Sequence, residues 1–126
     1  MKVRGAPLIG ATAAFGIYLA YRELRNKEHI EEAAQKIKNT RPTAVNLFWA
    51  VDKMMNKIDK SKNKNENENI LLNEAEKICK DDIDACKQIG KNGYELIKKV
   101  SDGKKDTVNI LTHCNAGWLA TIDWGT

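Results

Sequence analysis

The residues just before the first apolar stretch have types that suit an anion. Arg4, Gly5 and Ala6 stand directly before Pro7. Proline is tolerated at the first position of a helix, and the exposed amides of a helix start together with an arginine suit a phosphate group. The residues alone also allow the other interpretation, an exposed arginine that precedes a helix and binds nothing.

A second arginine, Arg41, lies in the tripeptide Thr40-Arg41-Pro42. Proline disfavours the helical conformation for the residue before it, so this tripeptide predicts a tight turn between two helices. A rigid turn can aim a guanidinium at a ligand, whereas a solvated arginine needs no such constraint. Both interpretations of Arg41 stay open on the residues alone.

A cysteine, Cys114, follows a β-branched stretch and precedes the turn residues 115–117. A thiol just past the end of a strand lies where α/β proteins place their ligand sites. The competing interpretation is a small buried hydrophobic residue, which is the commoner role of a free cysteine. His113 is not expected to pair with this thiol, because neighbouring side chains of a strand face opposite ways.

The other two cysteines predict packing rather than cross-linking or metal binding. Cys79 and Cys86 would be about 10 Å apart along one helix, which is too far for a disulfide. We therefore expect reduced thiols and a cytoplasmic location. No Cys-x-x-Cys pair occurs, and no second His/Cys pair accompanies His113-Cys114, so no metal site is expected.

Composition narrows the class of protein further. The net charge of +4 is spread among 17 acidic residues, and Lys60–Asn69 has no aromatic residue among its lysines, so nucleic acid is not an expected partner. The apolar run Pro7–Tyr21 is shorter than the roughly 20 residues that a membrane span needs. No small-residue cleavage site follows it. A helix buried in a core is favoured over an exported protein, and no membrane partner is expected.

Regular spacing of apolar residues predicts a mostly α fold, an irregular bundle of four or five helices. Lys60–Asn69 is polar and low in complexity, which predicts a solvated, mobile loop. The β-branched stretch Val108–Thr112 predicts one short strand. The predicted helices run from Pro7 to Arg25, from Glu28 to Lys38, from an N-cap at Thr43 to Ile58, and from Ile70 to Val100 with a kink or break at Gly90 and Gly93.

A single strand cannot form a sheet, so the end of the sequence indicates the approach to a second unit. Residues 1–106 are predicted to be a helical domain, and residues 107–126 the start of a truncated, Rossmann-like α/β domain. We therefore expect a piece cut from a longer protein at both ends. Its C-terminal apolar segment is expected to be exposed and to cause self-association; the residues concerned are Ile110, Leu111, Trp118, Leu119, Ile122 and Trp124.

Three longer segments of the sequence together carry a family resemblance. VRGAPLIG (Val3–Gly10), TRPTAVNLFWAVDKM (Thr40–Met54) and LTHCNAG (Leu111–Gly117) resemble the N-terminal half of methylthioribose-1-phosphate isomerase. They occur in the family's order and at about its spacing, and the match covers most of the chain. That family is related to the regulatory subunits of the initiation-factor-2B exchange factor and to ribose-1,5-bisphosphate isomerase.

The resemblance implies an aldose–ketose isomerase of methionine salvage that converts methylthioribose 1-phosphate to methylthioribulose 1-phosphate. It implies a phosphorylated sugar as partner and neither a metal nor another cofactor. The family's catalytic aspartate belongs to the Rossmann-like domain outside this sequence, so we expect the chain alone to be inactive. The alternatives are a non-catalytic helical interaction module related to the exchange-factor subunits and a ribose-1,5-bisphosphate isomerase. The implied site residues are Arg4, Gly5, Ala6 and Arg41 for substrate binding and Cys114 for catalysis.

Overall fold

Helices make up most of the computed structural model, which describes residues 2–24, 27–41, 45–104, 106–113 and 117–125. The prediction of a mostly α fold is confirmed for these residues. The helices are α1 at Ala6–Glu23, α2 at Lys27–Lys38, α3 at Val45–Asn56 and α4 at Lys64–Asp102, followed by a short 3-10 turn, η1, at Trp118–Ala120.

The first helix, α1, lies at the centre of the bundle and packs against α2, α3 and α4. Its glycines allow close approach: a Cβ added to Gly10 would lie 3.0 Å from the carbonyl oxygen of Asn46, and one on Gly16 would lie 3.1 Å from Cδ1 of Ile37. Within the described ranges, no helix is long and apolar enough to cross a membrane. The largest fully buried side chains are Ile17, Leu47, Val51, Met54 and Leu71.

The prediction of a loop over Lys60–Asn69 is wrong in its second half, because α4 begins inside it. Asn63 caps the helix: its side chain accepts a hydrogen bond from the Glu66 amide, and the Glu66 carboxylate accepts one from the Asn63 amide, each at 3.0 Å. This reciprocal pair is a capping box. Asn67 is buried, and its side chain accepts from the Asp59 amide and donates to the Asp59 carbonyl, each at 2.8 Å. Polar contacts therefore start α4 where no apolar residue is available.

The predicted kink or break at Gly90 and Gly93 is also corrected, because α4 runs through both glycines as one helix. A Cβ added to either would meet nothing within 4 Å. Glycine inside a helix costs about 1 kcal/mol relative to alanine, and α4 stays one continuous helix despite that cost. The second half of α4 also carries large exposed apolar side chains, namely Ile89, Tyr94, Leu96, Ile97 and Val100.

The strand predicted at Val108–Thr112 is not present, because residues 106–113 have no regular secondary structure. A strand needs a neighbour for its backbone donors and acceptors, and no strand lies beside this stretch in the part of the chain that the structure describes. The predicted N-cap Thr43 lies outside the described residues.

One carboxylate is buried between α3 and α4. Glu74 contacts Lys53 Nζ at 2.9 Å and Lys57 Nζ at 3.0 Å. Burial alone would raise the pKa of Glu74, but hydrogen bonds from the two lysines and their positive charges outweigh burial and lower that pKa below its usual value. The ion pairs therefore keep Glu74 charged and join the two helices.

Candidate functional site

Residues 117–125 form a closed loop, which we call the C-terminal loop. Gly125 has a φ of +91°, and a Cβ added to it would lie 2.5 Å from the carbonyl carbon of Gly117 and 2.6 Å from the amide nitrogen of Trp118. Real Cβ atoms essentially never come so close to other heavy atoms. Glycine at position 125 is therefore what lets the two ends of the loop touch.

The C-terminal loop is anchored on the middle of α4. The Ile122 amide donates a hydrogen bond of 3.1 Å to Oδ2 of Asp82. The ammonium of Lys87 lies 5.4 Å from the centre of the Trp124 ring, a cation–π distance. These contacts fold the chain that follows residue 116 back onto the helical bundle.

The other side of the same loop lies against the start of α1. Gly5 has a φ of +90°, and a Cβ added to it would lie 2.7 Å from the carbonyl carbon of Ala120 and nearer still to the Cα and oxygen of Ala120. Both the backbone angle and the close approach therefore require glycine. The carbonyl of Gly5 accepts the hydrogen bond from the Ile9 amide at 3.0 Å. The predicted substrate-binding segment Arg4–Ala6 thus contacts the chain that follows the Cys114 motif.

Arg41 lies in a cavity of about 620 Å³ beside the same end of α1. A turn at the end of α2 precedes it: the Thr40 amide and hydroxyl both donate to the Ile37 carbonyl, at 3.1 and 2.6 Å. Pro42 lies outside the described residues. The cavity is lined by Lys2, Val3, Ile9, Thr12, Ala13, Gly16, Ile37, Thr40, Arg41 and Leu47.

Four of the five site residues that the sequence predicts lie among the described residues, and Arg41 shares its cavity with Lys2 and Val3, the two residues just before Arg4. Arg4 is exposed, Gly5 and Ala6 begin α1, and Arg41 is half-buried in the cavity that Val3 also lines. The fifth residue, Cys114, lies outside the described residues. His113 is exposed.

The electrostatics of this region suit an anion. No acidic residue lies in the first turn of α1, and no side chain caps its N-terminus. Lys2 and Arg41 line the cavity, and Arg4 follows directly after the cavity residue Val3. A helix N-terminus with nearby cations stabilises a phosphate through amide hydrogen bonds and charge. Sequence reasoning missed Lys2, although a cation two residues before Arg4 was a usable signal.

The two described cysteines have the chemistry of packing residues. Burial raises the pKa of Cys79 and of Cys86, and the negative charge of Asp82 adds to both shifts. Cys86 is only 3% exposed, and both thiols are free. Among the described residues, no cluster of three or more His, Cys, Asp or Glu side chains could hold a metal ion.

Comparisons with known proteins give consistent similarities. The model of the Initiation factor 2 subunit family (IF-2B) matches residues 2–122. Methylthioribose-1-phosphate isomerases of Methylocella silvestris and Thermotoga neapolitana are 51% and 50% identical to this chain over its whole length, which is 35% and 36% of theirs. The chain thus spans about a third of the length of these curated relatives.

Two solved structures have the same fold as this chain. The 5-methylthioribose 1-phosphate isomerase from Pyrococcus horikoshii superimposes with a TM-score of 0.83 at 40% identity, covering 100% of this chain and 35% of that one. Subunit delta of the translation initiation factor eIF-2B from A. fulgidus superimposes with a TM-score of 0.78, also at 40% identity, covering 99% of this chain and 36% of that one.

Proposed function

This chain belongs to the Initiation factor 2 subunit family, and we propose that it supplies the helical part of a methylthioribose-1-phosphate isomerase. The observation that carries the proposal is that two other segments of the chain lie along the start and the first half of α1. There Gly5 contacts Ala120, and Arg41 shares a cavity with Lys2 and Val3. About half of all positions are identical in isomerases of this name, which supports the same substrate class.

In this proposal the cations hold the phosphate of the sugar. Arg4 and the amides at the start of α1 bind its oxygens, and Arg41 approaches from the cavity. Gly5 and Ala6 have small side chains, so the backbone can come close to the substrate. Electrostatic attraction brings the dianionic sugar phosphate to this end of the bundle.

The chemistry that remains is the movement of hydrogen between C1 and C2. The phosphate on C1 prevents simple opening of the ring, so a proton must be delivered to the ring oxygen as the C1–O bond breaks. Hydrogen then moves from C2 to C1, by hydride shift or through an enediolate, and the C2 hydroxyl gives up its proton, which leaves a ketone at C2 and balances the proton delivered to the ring oxygen. We assign a proton-transfer role to Cys114, and we place the second acid–base group in the part of the relatives that this chain does not span.

The domain division follows from the same proposal. We propose that residues 1–106 are the helical domain and that residues 107–126 lead into a second, α/β domain. The free thiols of Cys79 and Cys86 support a reducing, cytoplasmic compartment. The purified chain should then show no isomerisation of methylthioribose 1-phosphate above background, because half of the catalytic groups are absent from it.

The direct test is binding, measured by calorimetry with methylthioribose 1-phosphate. Replacing Arg41 by alanine should weaken binding about 10- to 100-fold, as expected for loss of a charge-assisted hydrogen bond. Arg22→Ala is the matched control, because Arg22 is an exposed arginine at the other end of α1. Equal affinity of the wild type and Arg41→Ala, or equal losses in both variants, would contradict the proposed site.

A second candidate function is favoured by the likeness to the eIF-2B subunit: a helical module that binds another copy of itself. Leu111 is 98% exposed and Leu119 is 80% exposed, and apolar patches of this kind rarely stay bare on a monomer. We propose that this C-terminal apolar segment mediates self-association. Light scattering should then give a mass that rises with concentration, and a strictly monomeric mass at high concentration would reject the idea.

A further inference from the structure

The C-terminal loop connects two places that are far apart in sequence. On one side, the Ile122 amide donates to the Asp82 carboxylate of α4 at 3.1 Å. On the other side, the backbone of Ala120 occupies the space that a Cβ on Gly5 would need. Ala120 and Ile122 are two positions apart, so a displacement of the loop at Ile122 also moves Ala120 relative to Gly5.

The contact with Asp82 is strong enough to set the position of the loop. A hydrogen bond to a charged group is stronger than one between neutral groups. Thr121 is buried beside it, and Ile122 packs against the hydrophobic core. The loop is therefore seated through backbone and core contacts, with Asp82 supplying the polar anchor.

We propose that Asp82 is a positioning residue for the Arg4–Gly5–Ala6 segment and acts through the C-terminal loop. The role of that segment in binding substrate rests on the proposed function, whereas the mechanical link does not. When the loop lies against α4, the backbone of Ala120 contacts Gly5 and fixes the direction of the chain from Arg4 into the helix. Without the anchor, the loop lifts, the start of α1 loosens and the affinity for a phosphorylated sugar falls.

The chain contains a reporter for lifting of the loop. Cys86 lies beneath it: it is 3% exposed and lines one cavity with Trp124 and Gly125 of the loop. Cys79 packs against the helical core instead. The charge of Asp82 raises the pKa of both thiols, so its removal alone speeds the alkylation of both. The ratio of Cys86 labelling to Cys79 labelling therefore isolates movement of the loop.

The experiment compares three variants of the full chain, each first shown to be folded by circular dichroism. Asp82→Ala removes the anchor, Asp82→Asn keeps an oxygen that can accept from the Ile122 amide, and Asp81→Ala is an exposed control one residue away. Each variant is measured for the labelling ratio, for hydrogen exchange at the Ile9 amide, which donates to the Gly5 carbonyl, and for affinity for methylthioribose 1-phosphate.

For Asp82→Ala we expect the labelling ratio to rise about 10- to 100-fold, which corresponds to the loss of one charge-assisted hydrogen bond. Exchange at the Ile9 amide should speed up, and binding of methylthioribose 1-phosphate should weaken. Asp82→Asn should restore part of all three readouts, because its hydrogen bond lacks the charge, and Asp81→Ala should change none. Rescue by asparagine identifies the hydrogen bond, rather than the charge, as the cause.

Three results would overturn the inference. An unchanged labelling ratio in Asp82→Ala would mean that the carboxylate does not hold the loop. A raised ratio with unchanged exchange at the Ile9 amide would mean that the loop does not position the segment. Failure of Asp82→Asn to restore exchange would exclude the hydrogen bond. Wild-type chain that binds no methylthioribose 1-phosphate but shows the expected exchange changes would uphold the positioning and contradict the proposed function.

Discussion

Replacing Gly5 by alanine should release the C-terminal loop while the helical bundle stays folded. Gly5 has a φ of +90°, a backbone conformation that costs a residue with a side chain about 1–2 kcal/mol. The new Cβ would also lie 2.7 Å from the carbonyl carbon of Ala120. The atoms that this Cβ would meet all belong to the backbone of Ala120, so no change of rotamer relieves the overlap.

The magnitude follows from comparing two responses of the variant. Keeping the loop in place adds an overlap penalty, which for ordinary overpacking is about 1–3 kcal/mol and is at the upper end for contact with backbone. Lifting the loop instead loses the bond to Asp82, about 1.5–3 kcal/mol. With the backbone strain added, keeping the loop in place costs about 2–5 kcal/mol, whereas lifting it costs only the lost bond, so the free energy of unfolding should fall by about 1.5–3 kcal/mol. Lifting also relieves the strain at Gly5, so we expect that response.

Urea unfolding followed by circular dichroism measures the loss of stability, and the alkylation rate of Cys86 measures release of the loop. Gly90→Ala is the matched control, because a Cβ there meets nothing within 4 Å and the change should raise stability by about 1 kcal/mol. Gly5→Ala with wild-type stability and slow Cys86 labelling would refute the close approach between Gly5 and Ala120.

Three further outcomes are expected. Glu74→Gln should lower the free energy of unfolding by about 2 kcal/mol at pH 7, a value reduced for the partial exposure of its lysine partners. The folded pKa of Glu74 lies below the unfolded value, so its stabilisation is present at neutral pH and is lost as the pH falls below the usual 4.5. Between neutral pH and that acid range, the free energy of unfolding measured with urea should therefore change less with pH in the variant than in the wild type. Asn63→Ala removes the capping box and should cost about 1 kcal/mol in the same assay, and an unchanged midpoint would discount the cap. A limiting alkylating reagent at neutral pH should modify Cys114 before Cys79 and Cys86, whose pKa values burial raises, and peptide maps with either of those two labelled first would contradict the assignment.

The helices that could be predicted from the sequence are those whose own residues determine them. Ile30, Ala34 and Ile37 repeat at helical spacing, and α2 forms there. The apolar pattern places the start of α4 too late, at Ile70. The helix begins earlier because Asn63 and Glu66 cap it through hydrogen bonds between side chain and backbone, which a pattern of apolar residues does not include. The strand at Val108–Thr112 was wrong for a different reason: β-branched residues form a strand only beside a partner.

The site residues that the sequence predicts lie in recognisable motifs, whereas residues that we propose act through contacts carry no such signal. Arg4 and Arg41 stand out because a proline and a helix start follow each motif closely. Asp82 does not, since its partner Ile122 is 40 positions away and offers only a backbone amide. Ala120 cannot be recognised from the sequence either, because it contacts Gly5 through backbone atoms alone.

The contact between Gly5 and Ala120 joins residues that lie far apart in the sequence, and it therefore affects the order in which the fold assembles. Loops that close over long stretches form slowly, whereas helices and their neighbours assemble from local contacts. During synthesis, α1 can pack against α2 and α3 long before Ala120 leaves the ribosome. The end of α1 that we assign to substrate binding is therefore completed only after Ala120 has been translated, later than the packing of α1 against α2 and α3.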